Sequence, residues 1–293
     1  MDLTIIIVSF KSGDILERCL DSIDNQYPII VVENSCDKNL KIKIEKKYTN
    51  VECILPDANL GYGAANNLGI KKVKTKYLLI LNPDTILLKD TLEQLLYHAK
   101  KIENFAILGP KILEGDNIEN KEINKKNIIE TEDGIEKSIS YVKGFAIFIN
   151  KPQFEKIGFF DENFFLYFEE IDLCKRVIQN GKKIFLIPKA MIKHTGGQSH
   201  VKSINTSMEL SRNWHWMWST FYYHRKHGGY LFALFKISKK FLSSLFKVIF
   251  FTIFFQKQRK EIYQHRLSGI INSVIGKKAW YRPKFNDQEN QAS

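Results

Sequence analysis

LTIIIVSF, residues 3–10, is apolar and largely β-branched at consecutive rather than alternate positions. Such a run is expected of a strand covered on both faces, as in parallel sheets flanked by helices. Outward from it, Ser12 can cap a helix reaching Ile23, with Ile15, Leu16, Cys19, Leu20 and Ile23 at helical spacing. PIIVVEN (28–34) and VECILP (51–56) read as further strands, and ANNLGIKKVKT (65–75) as a short helix. YLLILNPD (77–84) is a fourth strand that ends in a polar turn. The alternation predicts an α/β fold with a mostly parallel sheet and helices on both faces. Ligands in such sheets bind beyond the carboxyl ends of the strands, so Ser9, Glu33, Asp57 and Asp84 are expected on one rim.

Residues 114–137 are polar and without periodicity and are expected to be a mobile loop. YVKGFAIFIN (141–150) returns to strand character, and the second half of 159–183 is helical, stopped at Asn180-Gly181. Residues 183–197 form the last strand of this body. Four scattered cysteines, Cys19, Cys36, Cys53 and Cys174, have neither zinc nor disulfide spacing and read as reduced core thiols of a cytosolic protein. The apolar stretch 3–8 is too short for a signal sequence, so the chain is expected to start inside the fold.

Charge divides the chain. Residues 1–199 hold 28 Lys and Arg against 28 Asp and Glu, whereas 200–293 hold 16 against 4 and carry the whole net charge of +12. A neutral body (1–205) followed by a basic, aromatic helical extension (206–293) points to an anionic surface as partner of the extension. Its longest apolar run, Val248–Phe255, is far shorter than the ~20 residues that span a bilayer. Lysines at 236, 239, 240 and 247 interrupt it at roughly helical intervals, which fits a helix lying in the membrane plane over 230–260. For 205–227, with Trp214, Trp216, Trp218, Phe221 and Tyr222, core packing is expected, and a homodimer interface is the other use of such a surface.

Four segments carry polar groups that a core does not need. VVENSCD (31–37) runs a strand into acids and amides. NLGYGAANNLG (59–69) is a Gly-rich turn before a helix, able to hold phosphate by backbone N–H groups but lacking the lysine of a P-loop. LILNPDT (79–85) presents Asn82 and Asp84, where one carboxylate with phosphate oxygens and water can hold Mg²⁺ or Mn²⁺. The alternative there is a plain turn in which Asp84 caps the next helix. FFLYFEEIDLCKR (164–176) packs Glu169, Glu170 and Asp172 among aromatics, where desolvation and repulsion raise a pKa toward that of a general base. Acids in a helix's first turn are also ordinary dipole partners, and both readings stay open at this level. His194, at a strand end before two glycines, can complete a metal site or touch a phosphate, and a structural strand-end histidine is the alternative.

In order, IIIVSFKS, VVENSCD, NLGYGAANNLGI, LNPDT, GFAIFINKPQFEKIGFFDENFFLYFEEIDLCKR and HTGGQS resemble family 2 glycosyltransferases with the GT-A fold, a Rossmann-like nucleotide-diphospho-sugar transferase architecture with a mixed, mostly parallel sheet. The likeness is to the bacterial rhamnosyltransferase-like branch and covers residues 3 to about 200. It implies that Ser9, Glu33, Asn59, Gly61, Asn67, Asn82 and Asp84 bind the nucleotide sugar, and that Asp84, with His194, holds a divalent ion. Glu170 takes the base position, with Asp172 as fallback and Glu169 beside it, while Asp161 and Gly144 fall where relatives bind the acceptor. Two departures stand out: Asn82 replaces the first carboxylate of a DXD-type site, and Glu170 replaces the usual aspartate. The implied reaction is inverting transfer of a sugar, rhamnose from dTDP-rhamnose first and UDP-hexoses next, to a saccharide or polyprenyl-linked saccharide in cell-surface polysaccharide biosynthesis. Its implied place is the cytoplasm, peripheral to the inner face of the cell membrane. Competing readings are an inactive nucleotide-binding homologue, a nucleic-acid-binding protein prompted by the basic pI of about 9.3, and a nucleotidyltransferase. No nucleic-acid partner is expected.

Overall fold

β1 (Leu3–Ser9) is buried along nearly its whole length, because helices cover both of its faces. In the computed structural model, which describes residues 2–113, 128–129, 136–194 and 205–283, it is followed by α1 (Gly13–Asp21), β2 (Ile29–Glu33), α2 (Lys38–Lys47), β3 (Val51–Ile54) and α3 (Tyr62–Ile70). Then come β4 (Tyr77–Leu81), β5 (Thr85–Leu87), α4 (Thr91–Lys101), β6 (Phe105–Leu113), β7 (Ile128–Ile129), β8 (Glu136–Ser138) and β9 (Ala146–Asn150). A 3-10 turn at Lys151–Phe154, α5 (Glu169–Gln179) and β10 (Lys183–His194) complete this part. By contacts the chain divides into two units, Met1–Phe160 with Glu170–Val201, and Asp161–Glu169 with Lys202–Ser293.

The sheet of the first unit runs in the order β3-β2-β1-β4-β9-β6-β10-β8-β7, with β5 paired to β10. Its first four strands are parallel, as the consecutive apolar runs predict. The rest is mixed: β9 is antiparallel to both β4 and β6, and β10 is parallel to β6 but antiparallel to β5 and β8. Side chains alternate between faces along a strand. Thus Ile5, Ile7, Val31, Leu79 and Leu81 pack with Leu16, Leu20, Ile44 and Leu95 of α1, α2 and α4. Ile6, Ile30, Val32, Leu78 and Ile80 pack with Ala65, Ile70, Leu173 and Val177 of α3 and α5. Each such burial contributes about 1.5–3 kcal/mol, and β2 and β4 are apolar up to their last residues.

Several boundaries differ from the sequence reading. Ser12 occupies the N-cap of α1, but its hydroxyl bonds the backbone of Phe10, and the helix stops at Asp21. α3 starts at Tyr62, three residues early, because Gly61 (φ +82) makes the turn that other residues resist. β5 is too short to announce itself, and it separates Asp84 from α4, whose N-cap is Asp90, so the helix-capping alternative for Asp84 is wrong. Of the stretch expected to be a loop, 128–129 and 136–138 form paired strands, while 114–127 and 130–135 lie outside the described residues. β9 starts at Ala146 rather than 141, and residues 195–197 of the expected last strand also lie outside the described residues. The cysteines are free; Cys19, Cys53 and Cys174 are buried, but Cys36 is only partly so.

The second unit joins segment 161–169 to α6 (Asn205–Gly228), α7 (Tyr230–Ile253) and α8 (Lys257–Val274), so this segment leaves the body to which the sequence reading gave it. Met217 and Phe221 of α6 pack with Ala233 and Ile237 of α7 and Ile270 of α8. Trp214 and Trp218 pack with Phe165 and Ala279, and their indoles donate to Ser268 Oγ (3.1 Å) and the Lys277 carbonyl (3.0 Å). Trp216 is 38% exposed and lies outside this core.

α6 and α8 approach backbone to backbone at Gly269, where a Cβ would collide with the Trp214 carbonyl. Gly269→Ala is expected to destabilise the helical unit by about 1–3 kcal/mol. All four tryptophans lie in this unit, so thermal unfolding followed by tryptophan fluorescence reads it directly, and an unshifted transition contradicts the packing.

Candidate active site

The parallel strands end together. Ser9 and Glu33 are in register at the tips of β1 and β2, Asn82 to Asp84 follow β4, and Asp57 is exposed just beyond β3. Ser9 is fully buried, and its hydroxyl has no hydrogen-bond partner among the described residues. Glu33 is also fully buried and is engaged in its own loop: Oε1 accepts from Ser35 Oγ (2.5 Å) and Oε2 from the Asp37 N–H (2.7 Å). Burial pushes its carboxyl pKa up, against the opposing pull of these donors.

The Gly-rich turn is tied to the tip of β2 by two amides. Asn34 donates to Asn59 Oδ1 (2.9 Å) and accepts the Leu60 N–H (2.9 Å), while Asn59 Oδ1 also accepts the Gly61 N–H (3.0 Å). Asn34 was not singled out from the sequence; its position one past a strand end is the signal. Asn67, expected to line the nucleotide pocket, instead clamps the backbone of Phe160, donating to its carbonyl (2.9 Å) and accepting its N–H (3.1 Å).

β5 brings the Asn-Pro-Asp turn to the end of β10, because His194 is the register partner of Thr85. His194 Nε2 therefore lies 3.4 Å from Asp84 Oδ2, with both residues buried. The imidazole stacks on the Phe145 ring at 3.7 Å, and Lys143 lies over the other partner of that stack, 5.6 Å from the Phe145 centroid. The Asn82 N–H donates to the Phe145 carbonyl (2.9 Å).

One residue away, Gly144 faces the carboxylate pair. A Cβ at Gly144 would stand 3.9 Å from the Glu170 carboxyl carbon and 3.7 Å from the Tyr62 hydroxyl, which donates to the Gly144 carbonyl (2.6 Å). Segment 144–145 thus touches the Asn-Pro-Asp turn on one side and Glu170 on the other. Tyr62, Lys143 and Phe145 have no signal in sequence, since a tyrosine in a turn and a lysine and phenylalanine before a strand are ordinary.

The three acids of 169–172 have different fates. Glu170 is half-buried at the start of α5; desolvation pushes its pKa up, partly offset by N–H groups of residues 170 and 171. Asp172 is fully buried and paired with Arg176 (2.8 Å), whose guanidinium also donates to the carbonyls of Ile157, Gly158 and Phe159. This is the geometry of a brace, so the fallback base of the sequence reading is committed elsewhere. Glu169 is buried and belongs by contacts to the second unit. Just before it, Tyr167 and Phe168 both have positive φ, a strain of about 1–3 kcal/mol each. Contacts of both rings with Trp216 hold them. Asp161, expected at the acceptor, lies in the second unit and accepts from Lys226 (2.7 Å) and Tyr222 (3.0 Å). Although burial opposes it, these donors and Asn163 hold the Asp161 carboxyl below its usual range.

A divalent ion fits the donor set of Asp84 and His194. Two ligand atoms on one ion, each about 2.1 Å away, stand about 3 Å or slightly more apart, close to the observed pair. One carboxylate with one imidazole suits Mn²⁺ better than Mg²⁺, which prefers oxygen. Among the described residues there is no group of three or more His, Cys, Asp or Glu, so the remaining positions fall to phosphate oxygens and water.

A family model, Glycosyl transferase family 2, matches residues 4–174. The chain is 29% identical over 190 residues to the low-salt glycan biosynthesis hexosyltransferase Agl10 of Haloferax volcanii, covering 60% of this chain and 61% of that protein, less than two thirds of its length. It is 27% identical over 215 residues to the rhamnosyltransferase WbbL of Escherichia coli, covering 63% and 80%. In fold it matches the mannosyltransferase PcManGT of Pyrobaculum calidifontis, solved with GDP-Man and Mn²⁺, at a TM-score of 0.55 and 10% identity over 93% of this chain and 87% of that one. The mixed sheet and flanking helices are those of the GT-A glycosyltransferases. With more than half of its length matched by the family and its sheet folded in the same way, the chain belongs to glycosyl transferase family 2.

Proposed function

We propose that this protein transfers a sugar, rhamnose in the first instance, from a nucleoside diphosphate donor to a hydroxyl of a saccharide or lipid-linked saccharide, with inversion, in cell-surface polysaccharide biosynthesis. The observation that carries this reading is segment 144–145, which holds the Asn-Pro-Asp turn by one backbone carbonyl and abuts Glu170 one residue away. This contact supports a reading in which the donor diphosphate lies near Glu170, a carboxylate whose pKa burial raises. Similarity to proteins named hexosyltransferase and rhamnosyltransferase supports the sugar class. The acceptor is proposed to be presented at the cytoplasmic face of the cell membrane.

In the reaction, the acceptor oxygen forms a bond to the anomeric carbon as the bond from that carbon to the diphosphate oxygen breaks. Glu170 takes the hydroxyl proton, for which a pKa raised toward neutrality is an advantage. Attack opposite the leaving group inverts the centre. A divalent ion held by Asp84 and His194 would supply Lewis-acid neutralisation of the diphosphate. Lys143 adds positive charge beside the Phe145 ring, and the Ser9 hydroxyl and the turn at Asn59 and Gly61 orient the donor. The buried Asp172 and Arg176 keep the start of α5 in place.

Glu170→Gln is expected to lower kcat by about 10²–10⁴-fold while donor affinity is retained, as measured by transfer kinetics and donor titration. Asp172→Asn is expected instead to lower the melting temperature, since breaking a buried pair costs about 3–5 kcal/mol; a selective loss of kcat there would return the base role to Asp172. Because the working form of Glu170 is the carboxylate, the rate should fall as pH drops through its raised pKa, so the acid limb of the pH profile lies above the ordinary glutamate value. A limb at or below that value argues against Glu170. Asp84→Asn is expected to abolish the Mn²⁺-dependent rise in melting temperature given by nucleoside diphosphates in the wild type; an undiminished shift removes Asp84 from the metal site.

A further inference from the structure

We propose that the second unit docks on an anionic lipid surface through the outer face of α7 and the Phe254-Phe255 turn that follows it. This deepens the membrane-face placement proposed above and rests on that reading; it does not depend on which sugar is moved.

Leu231, Phe235, Leu242, Phe246, Ile249 and Ile253 are all exposed. At 100° per residue they fall within about 60° of arc on one face of α7. Ala233, Ile237 and Ser244, on the opposite face, are buried, the first two against α6 and α8. A helix with one apolar face on its own unit and a second facing solvent is built for two apolar partners.

The turn after α7 adds a second, independent sign. Helices usually stop with glycine in the left-handed conformation. Here Phe255 takes it, at φ +51, and is 93% exposed, beside a 57% exposed Phe254. A phenylalanine at this position bears a backbone penalty and a hydration penalty that glycine avoids, and no packing within the unit offsets either.

Charge selects the partner. Between Glu209 and Glu261 there are ten Lys and Arg and no Asp or Glu. By helical position Lys239 borders the apolar stripe, and Lys257, Arg259 and Lys260 follow the Phe-Phe turn directly. A second copy would oppose like charges across the interface. An anionic headgroup layer instead attracts each cation while the stripe and the turn enter the acyl boundary. No described helix is long and apolar enough to cross a membrane, consistent with a helix that lies in the surface.

The test is flotation of the full chain with phosphatidylcholine vesicles containing phosphatidylglycerol, against pure phosphatidylcholine. Wild type is expected to float only with the anionic vesicles and to be released by high salt. Phe254→Ser with Phe255→Ser is expected to weaken binding about 100-fold, and Lys257→Glu with Arg259→Glu about tenfold or more. The tryptophan melting transition should be unchanged in both. Equal binding to both vesicle types, or binding insensitive to these substitutions, overturns the proposal. So does a wild-type dimer by light scattering that the phenylalanine substitutions dissociate, which would assign the stripe to a second copy. Flotation with no sugar transfer by wild type sinks the catalytic reading alone, whereas transfer without flotation sinks this one alone.

Discussion

The reversal of strand direction between β4 and β9 is the constraint on which the site depends. β4 runs parallel to β1 but antiparallel to β9, with Leu81 opposite Ala146. A parallel neighbour would have placed the far end of its strand there. The antiparallel one places its beginning there, so Gly144 and Phe145 arrive beside Asn82. A second reversal, β5 against β10, sets His194 across from Thr85 and therefore beside Asp84. Groups from four separated stretches of chain meet because two strands run against the rest.

Within that frame, helix geometry sorts the acids. Glu170 and Asp172 are two residues apart, about 200° around a helix, and cannot serve the same face. Glu170 turns toward Gly144, while Asp172 turns inward to Arg176 and secures the carbonyls of 157–159. The cost of burying Asp172 is offset by its guanidinium partner. At Glu170 desolvation prevails and raises the pKa. One tetrapeptide therefore supplies both the proposed base and the fixture that steadies it.

The helical unit spends its aromatics in two ways. Trp214, Trp218 and Phe221 are buried and, where polar, hydrogen-bonded, as amphipathic rings in a core should be. The phenylalanines and leucines on the outer face of α7 have the same chemistry without that cover. The difference is one of helix face, not composition.

By itself the sequence determined the parallel half of the sheet, since consecutive apolar residues in 3–10 and 77–81 suit doubly covered strands. It also determined that Ser9, Glu33 and Asp84 would share a rim, because parallel strands end on the same side, and that the positive charge would sit in the C-terminal helices. Tertiary structure alone decided the rest. β5 is three residues long and has no periodicity to read, yet it denies Asp84 a capping role and gives it His194. Asn67 turned to the Phe160 backbone and Asp161 to Lys226, pairings made across long stretches of chain, whereas Asp172 met Arg176 one helical turn further on. Local pattern reports which face of an element is apolar; which distant polar group answers a given carboxylate or amide depends on strand order and direction, and those are set by packing of the whole sheet.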